Sequence, residues 1–575
     1  MATFEGSQDV ARIDTKAAAK IASTVEDYDA LVHDAAQASE EERGMSVMQS
    51  IRAYPKAVFF SVGISLAIVM EGYDTILLGN FYAQPAFTKT FGTCDIKDGV
   101  ENCQISAPWQ AGLSNGSQIG SLVGLQLVGY LTDRLGYRKT MMGSLVFMTA
   151  FTFIPFFAEN LVTLLIGQLL QGVPWGIYQS MAVAYAADVC PVSLRPILTT
   201  YVNLCWVLGQ LVASGVLRAT VERSDKWAYK IPYGLQWMWI PFVFAVAFFA
   251  PESPWWLVRQ NKLDEAEVSL RRLAGKSHNK PEDAQKTIAL LKHTNELEKT
   301  VTAGSSYVDC FRGTNLRRTE IACMAWLIQQ FCGSPLMGSS SYFLQQAGLP
   351  TTQAFNLTIG QFAIGAVGTI SSWFLMNWCG RRTLYLVGQC LMIVILLTVG
   401  TLGATGGSPW AIGALLLCFT AIYDGTVGPA CYSIVAEIGS TRLRAKTVVL
   451  ARGFYNLAGI LINIINPRML NPDAWDLGAK SAFVWMGTGT FFLVWTFFRL
   501  PEPKGRTYGE LDILFEEKIS ARKFKTTKVQ EFGHLDASTK AAVLSEKNNL
   551  RETDSLDEKK SSGEAAPVSS LAYNA

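Results

Sequence analysis

Ala57-Val-Phe-Phe-Ser-Val-Gly-Ile-Ser-Leu-Ala-Ile-Val-Met70-Glu71-Gly72-Tyr73-Asp74-Thr75-Ile-Leu-Leu78 is the first long apolar run of the chain, and it carries two carboxylates. Its length is that of a membrane-crossing helix, for which about 20 apolar residues suffice. An ionisable group inside such a helix costs on the order of 3 kcal/mol on insertion scales, so it usually faces a cavity or a charged partner. Glu71 and Asp74 are three residues apart and share one helix face. Either the pair lines a transport pathway, with protons as candidate cargo, or it anchors the helix at the headgroup boundary.

The composition extends the membrane reading to the whole chain. Hydrophobic residues make up 50% and charged residues 17%, against about 25% charged in a typical soluble domain. Mean hydropathy is +0.21, the average of an oily body and polar ends. A net charge of +2 gives no basis for nucleic-acid binding. Aromatics at 11%, with 15 Trp, suit interfacial belts. No Gly-rich phosphate loop is present, so ATP is not an expected partner. His33, His278, His293 and His534 all lie outside the apolar runs, and no catalytic or metal-ligand spacing emerges. The expectation is a non-enzyme with no cofactor and no metal, whose partners include the lipid bilayer.

Residues 1–50 are polar and lack the apolar core of a cleavable signal peptide, so the first span is expected to act as the targeting signal. Of the 11 Cys, most sit in apolar runs as small core residues. Cys94 and Cys103 instead lie in the polar segment after the first span. They form a local disulfide if that segment is extracellular, or remain two free thiols.

Apolar length predicts twelve spans, an all-α membrane protein. Six lie near 57–79, 110–131, 140–158, 161–187, 198–218 and 233–250, and six near 321–346, 355–378, 383–404, 409–437, 447–467 and 482–499. The expected organisation is a cytoplasmic segment (1–56), a six-helix bundle (57–250), an intracellular helical linker (251–320), a second six-helix bundle (321–500) and a largely disordered tail (501–575). In the linker, Leu263, Ala266, Leu270 and Leu273 are separated by charges, the pattern of a short amphipathic helix, and a second helical patch lies near Ile288–Leu297. Lys and Arg crowd alternate loops, among them Arg134, Arg138, Lys139, Arg381, Arg382, Arg442, Arg444 and Lys446. The positive-inside rule then places both termini in the cytoplasm, although Arg223, Lys226 and Lys230 run against the trend.

The halves echo each other. Gly129-Tyr-Leu-Thr-Asp133-Arg134-Leu-Gly136-Tyr-Arg138-Lys139 follows the second span, and Asn377-Trp-Cys-Gly380-Arg381-Arg382 follows the eighth. Asp188-Val-Cys-Pro191-Val-Ser-Leu-Arg195 ends the fourth, and Glu437-Ile-Gly-Ser-Thr-Arg442-Leu-Arg444 the tenth. Pro251-Glu252-Ser-Pro254 and Pro501-Glu502-Pro503-Lys504-Gly505-Arg506 end the sixth and twelfth. Matching landmarks at matching places argue for two repeats with a central site between them. Asp133, Arg134, Arg138, Arg195, Glu252, Arg381, Arg382, Glu437, Arg444 and Glu502 are read as an inner gate of carboxylate–guanidinium pairs.

These ordered, paired motifs resemble those of sugar porters of the major facilitator superfamily, over about residues 50–515. More narrowly, the chain is similar to the fungal α-glucoside:proton symporters. The residues that carry this are Glu71-Gly72-Tyr73-Asp74-Thr75, Gly79-Asn80-Phe81-Tyr82-Ala83, Gln171-Gly172-Val-Pro174-Trp175-Gly176, Asn203-Leu-Cys205-Trp206, Leu450-Ala-Arg452 with Tyr455-Asn456, and Gly478-Ala479-Lys480-Ser481. The resemblance implies proton-coupled sugar import at the plasma membrane without ATP, with Glu71, Asp74 and Arg452 in the coupling. A facilitator or symporter for a hexose or another oligosaccharide, and a non-transporting sugar sensor, are the competing readings.

Departures from the general porter pattern sharpen the expectation. Gln168 stands where hexose porters carry the Arg that partners the first-span Asp. Asp74 must then find another partner or rest protonated, and Arg452, the remaining intramembrane cation, is either that partner or a helix cap near the cytoplasmic face. Gln329-Gln330 is kept, but Pro335 replaces the sugar-contacting Asn. Tyr432 stands for the usual Trp and Asn203 for the usual Gln. Smaller groups leave room for a disaccharide. Gln329, Gln330, Asn203, Tyr432, Tyr342, Asn456 and Gln168 supply the amides and aromatic hydroxyls that bind sugars. Asp424 either bonds the second ring or sits at the headgroups.

Overall fold

The computed structural model describes Met45 and residues 47–527, except 98–99, 192–193, 276–279, 303–305, 441–442, 505, 507–510 and 512–513. Residues 1–44 and 46 of the expected N-terminal segment, His33 among them, His278, Arg442 and the tail beyond residue 527, with His534, therefore lie outside the described residues. Among the described residues, ten helices are long and apolar enough to cross a membrane. Ala107–Leu135 and the interrupted stretch from Gly313 to Gln346 complete the twelve spans. The remaining members include the first span Pro55–Phe81, the fourth Leu161–Val189, the fifth Arg195–Thr220, the eighth Thr351–Cys379, the ninth Arg381–Thr405 and the eleventh Arg444–Leu470.

Three spans expected to be continuous are broken. The sixth starts earlier than its apolar run and bends at Leu235, between Trp227–Gly234 and Gln236–Phe249, with Pro232 and Pro241 inside the pieces. The seventh stops at Phe331 and resumes as Pro335–Gly338 and Ser340–Gln346. Pro335 has no N–H to continue the ladder, and Gly333 adopts φ +104°. The tenth breaks at Thr426, between Pro409–Gly425 and Val427–Ile438, where Gly428-Pro429 follows. Irregular backbone at membrane depth is tolerated where it lines a cavity.

One departure from an all-α chain is a small antiparallel hairpin, Thr93–Lys97 with Val100–Gln104. Cys94 lies directly opposite Cys103, and the two are joined by a disulfide. Opposite residues of an antiparallel ladder project to the same face, which is what brings the two sulfurs together.

The two halves share one plan. The second span packs on the fourth and the first on the fifth; the eighth packs on the tenth and the seventh on the eleventh. Small residues permit the close crossings. A Cβ on Gly120 would come 2.8 Å from Gly172 Cα, and one on Gly209 would come 2.7 Å from Tyr73 N. The halves meet along second–eleventh and fifth–eighth contacts.

Between the halves runs the expected helical linker: Pro254–Arg259, Leu263–Leu273 and Pro281–Thr302, which contains the Ile288–Leu297 patch. It is tied to the first half. Ser269 Oγ donates to Glu252 O at 2.5 Å, and Gly275 N donates to Ala53 O at 2.7 Å. After the twelfth span the chain does not leave at once. Leu511, Leu514, Phe515 and Phe524 are buried. Arg317, at the start of the seventh span, donates to Ile519 O at 2.8 Å and stacks over the Phe515 and Phe524 rings.

The repeat is sharpest at the linker end. Gly136 (φ +83°) and Gly380 (φ +82°) precede the third and ninth spans. Each leaves space for a carboxylate that receives the orphan N–H groups of the helix start. Glu252 accepts from Tyr137 N at 2.8 Å and Arg138 N at 3.2 Å. Glu502 accepts from Arg381 N at 2.9 Å and Arg382 N at 3.0 Å. A Cβ on Gly380 would lie 2.5 Å from Glu502 Oε2 in a backbone region that L residues avoid. Gly380→Ala is expected to cost about 1–3 kcal/mol and to lower the melting temperature of the detergent-purified protein. Gly143→Ala, whose Cβ meets nothing within 4 Å, is expected to leave it unchanged or slightly raised.

Candidate functional site

A cavity of about 240 Å3 lies between the halves. Of the residues singled out in the sequence, Asp74, Gln168, Asn203, Gln329, Gln330, Tyr342, Asp424, Tyr432 and Arg452 line it. The broken seventh and tenth spans put backbone on its wall. Gln329 Nε2 donates to Gly428 O at 2.9 Å across that break. Asn203 Nδ2 reaches Thr369 Oγ1 at 3.4 Å, from the fifth span to the eighth. The Tyr342 hydroxyl and Gln168 Nε2 are buried without a partner. Unpaired amides and hydroxyls beside aromatic rings are what a polyhydroxylated solute would satisfy. Asn456 departs from its expected place: it is 1% exposed and does not line the cavity.

Asp424 sits at the end of the first piece of the tenth span and is 3% exposed, so it is an interior residue and not a headgroup anchor. Its Oδ2 has no partner among the described residues. It occupies the space left by the missing side chain of Gly365, where a Cβ would collide with it.

Glu71 and Asp74 are 2% and 1% exposed, both interior. Gln236, at the bend of the sixth span, donates to Asp74 Oδ1. The Gln236 carbonyl in turn accepts from Gln171 Nε2 at 3.0 Å, and that same amide group reaches Thr152 Oγ1 at 3.2 Å. Asp74 is thus held by a string of neutral amides. Arg452 takes a different place from the one expected of it. It bonds not to Asp74 but to Gln179 Oε1, at 3.1 Å from Nε. Gln179 Nε2 donates to Glu71 Oε1. The guanidinium lies against Trp326 and Tyr455, 4.6 and 4.5 Å from their ring centroids, and those two rings pack edge to face on each other at 5.1 Å. Desolvated cation–π contacts of this kind reach about 2 kcal/mol, so the aromatic pair holds Arg452 away from Asp74.

Gln179 and Gln236 are therefore site residues that sequence reasoning did not pick out. Gln179 carried a signal, an amide inside a long apolar run with Gln168 and Gln171 before it. Gln236 carried none, because its role depends on a bend that apolar length does not reveal.

The two ends of the cavity differ. At the hairpin end the halves are cross-bonded: Ser341 N donates to Asn80 Oδ1 at 2.9 Å, and Asn471 Nδ2 to Ile105 O at 3.0 Å. At the linker end the bonds of the described gate residues stay within their own half. Arg381 Nη2 pairs with Glu437 Oε1 at 3.0 Å. Arg382 Nη2 donates to Phe497 O at 2.8 Å. The Asp133 carbonyl accepts from Trp256 Nε1 and Gln260 Nε2. Arg134 and Arg138 lie over the Tyr130 and Phe248 rings. Where guanidinium partners were expected for Glu252 and Glu502, helix N-termini take them instead. Burial pushes the Glu252 carboxyl above its usual range, and the N–H groups of Ser253, Tyr137 and Arg138 pull it back. Arg195 and Arg444 head the fifth and eleventh spans; their side chains lie outside the described residues.

A family model described as sugar (and other) transporter matches residues 60–515. The chain belongs to that transporter family. It is accordingly a multi-pass membrane transporter and not an enzyme. Within the family, a maltose permease of Saccharomyces cerevisiae is 40% identical over 537 residues, covering 92% of this chain and 87% of the permease. A general alpha-glucoside permease of the same yeast is 40% identical over 506 residues, covering 87% and 82%. The fold matches the xylose transporter XylE of E. coli in a partially occluded inward open conformation, with a TM-score of 0.65 at 19% identity, over 79% of this chain and 100% of XylE.

Gln236→Leu is expected to leave Asp74 buried without its donor. The cost of such an orphan is about 1–3 kcal/mol, more for a charged group. A lower melting temperature together with reduced uptake in a transport-null yeast checks this.

Proposed function

We propose that this transporter imports α-glucosides, maltose-like di- or oligosaccharides, together with protons, across the plasma membrane by alternating access. The carrying observation is the juxtaposition of a cavity lined by amides and hydroxyls from both halves with two buried first-span carboxylates held by neutral amides. The printed names of the yeast relatives support the sugar class. Both termini and the helical linker are placed on the cytoplasmic side, following the loop charges. The hairpin with Cys94 and Cys103 then faces outward.

In this reading sugar enters between the bundles 57–250 and 321–500. Gln329, Gln330, Asn203, Gln168, Tyr342 and Tyr432 offer donors and acceptors to its hydroxyls. Asp424 offers a further acceptor on the cavity wall, and Asn456 is buried outside it. The space that Pro335 opens takes the second ring. Asp74 and Glu71 carry the proton: an ionised carboxylate is costly at membrane depth, and each exchanges its proton with water when the site opens to one side. Asp133, Arg134, Arg138, Arg195, Glu252, Arg381, Arg382, Glu437, Arg444 and Glu502 brace the inner ends of the helices so that each half moves as a unit.

Uptake of labelled maltose in a transport-null yeast is expected to fall as external pH rises and to collapse with a protonophore. Unlabelled glucose is expected to compete poorly against maltose. Uptake that ignores pH and protonophore would leave a facilitator, and equal competition by glucose would remove the disaccharide assignment.

A further inference from the structure

We infer that the side-chain amide of Gln179 reads the protonation state of Glu71 and passes it to Arg452, and so from one half of the protein to the other. The inference rests on the proton-coupled reading above. Glu71 and Gln179 belong to the first and fourth spans, Arg452 to the eleventh. The bridge Glu71–Gln179–Arg452 therefore spans the two halves at the centre of the molecule.

The chemistry of an amide makes this bridge directional. Its nitrogen only donates and its oxygen only accepts. An ionised Glu71 only accepts, so it fixes Nε2 toward itself and aims Oε1 at the Arg452 guanidinium. A proton has a place on Glu71 Oε2, which is buried and lies outside the Gln179 bridge, with the Trp206 indole beside the carboxyl. Once there, it creates a buried O–H that needs an acceptor. The groups facing Glu71 are Arg452 and Tyr455 on the eleventh span, Tyr432 on the tenth, Trp206 on the fifth, Gln179 on the fourth and Asp74 on its own helix. Arg452 and Trp206 offer no acceptor; Tyr432, Tyr455 and Asp74 carry acceptor oxygens, and Gln179 Oε1 is the acceptor on the side chain already hydrogen-bonded to Glu71. Turning the carboxyl and the amide lets that oxygen accept the new O–H. The amide N–H groups then face the guanidinium, donor against donor, and the bond between the halves opens. Arg452 stays with its own half, because Trp326 and Tyr455 hold it there. Protonation of Glu71 thus frees the halves to rock, and loss of the proton fastens them again. No bond but the O–H of Glu71 is made, and the proton returns to water when the site opens.

The test compares Glu71→Gln, Gln179→Leu, Gln179→Glu and the double variant Glu71→Gln with Gln179→Leu, with surface expression measured for each. Maltose accumulation and maltose counterflow are read across external pH in a transport-null yeast and in vesicles from it. Gln179→Leu is expected to lower the accumulation-to-counterflow ratio about tenfold and to flatten its pH dependence, as Glu71→Gln does. The double variant is expected to lose no more than either single one, because both remove the same link. Gln179→Glu has no amide to turn and is expected to flatten the profile as well, so that one expressed variant suffices. If either Gln179 variant keeps the wild-type ratio and pH profile while Glu71→Gln flattens it, the inference is overturned and the proton reading stands. A further tenfold loss in the double variant also overturns it. If Glu71→Gln itself keeps wild-type coupling, Glu71 is not the group that reports the proton and the inference is overturned, while proton coupling through Asp74 stands.

Discussion

A carboxylate buried at membrane depth has no water to solvate it, and the rest of the molecule is arranged around that fact. Asp74 is met by Gln236 and Glu71 by Gln179. Both partners are neutral amides, which donate one hydrogen bond without committing the carboxyl to the charged state as a guanidinium would. An ion pair at Asp74 would hold it ionised; a neutral amide does not impose that charge.

The amides can do this only because of where the helices break or bend. Gln236 reaches Asp74 from the first turn after the bend at Leu235. Gln329 is steadied by a carbonyl at the break of the tenth span. Breaks of this kind leave backbone groups without helical partners, and they are tolerated because they border a polar cavity or meet side-chain amides. Close glycine crossings at Gly120, Gly172 and Gly209 bring the remaining helices near enough for the side chains to meet.

The asymmetry of the two ends follows from the same economy of donors. At the hairpin end, Asn80 and Asn471 cross from one half to the other. At the linker end, Glu252 and Glu502 are consumed by helix N-termini within their own halves. Each capped helix start ties elements of one half together. The Gln179 bridge joins the halves, from Glu71 of one to Arg452 of the other.

The sequence alone determined the number of spans, the two-fold repeat, the helical linker and most of the cavity wall. Those features rest on apolar length, on landmarks such as Pro251-Glu252 and Pro501-Glu502, and on residue types at helical spacing. It also picked out Glu71, Asp74 and Arg452 as the charges that matter, because a charge inside an apolar run stands out by its insertion cost. Tertiary structure alone decided who partners whom. Arg452 was free to choose Asp74 by charge, and its contacts with the Trp326 and Tyr455 rings and the reach of Gln179 turned it toward Glu71 instead. Asn456 has the chemistry of a sugar contact, and helix rotation hides it. Gln236 has no sequence mark at all, because a neutral amide costs little in a helix and acquires its role only from the bend that aims it. Insertion cost is a property of one residue and can be read along the chain; a hydrogen bond across spans is a property of distance and angle, which only the folded molecule fixes.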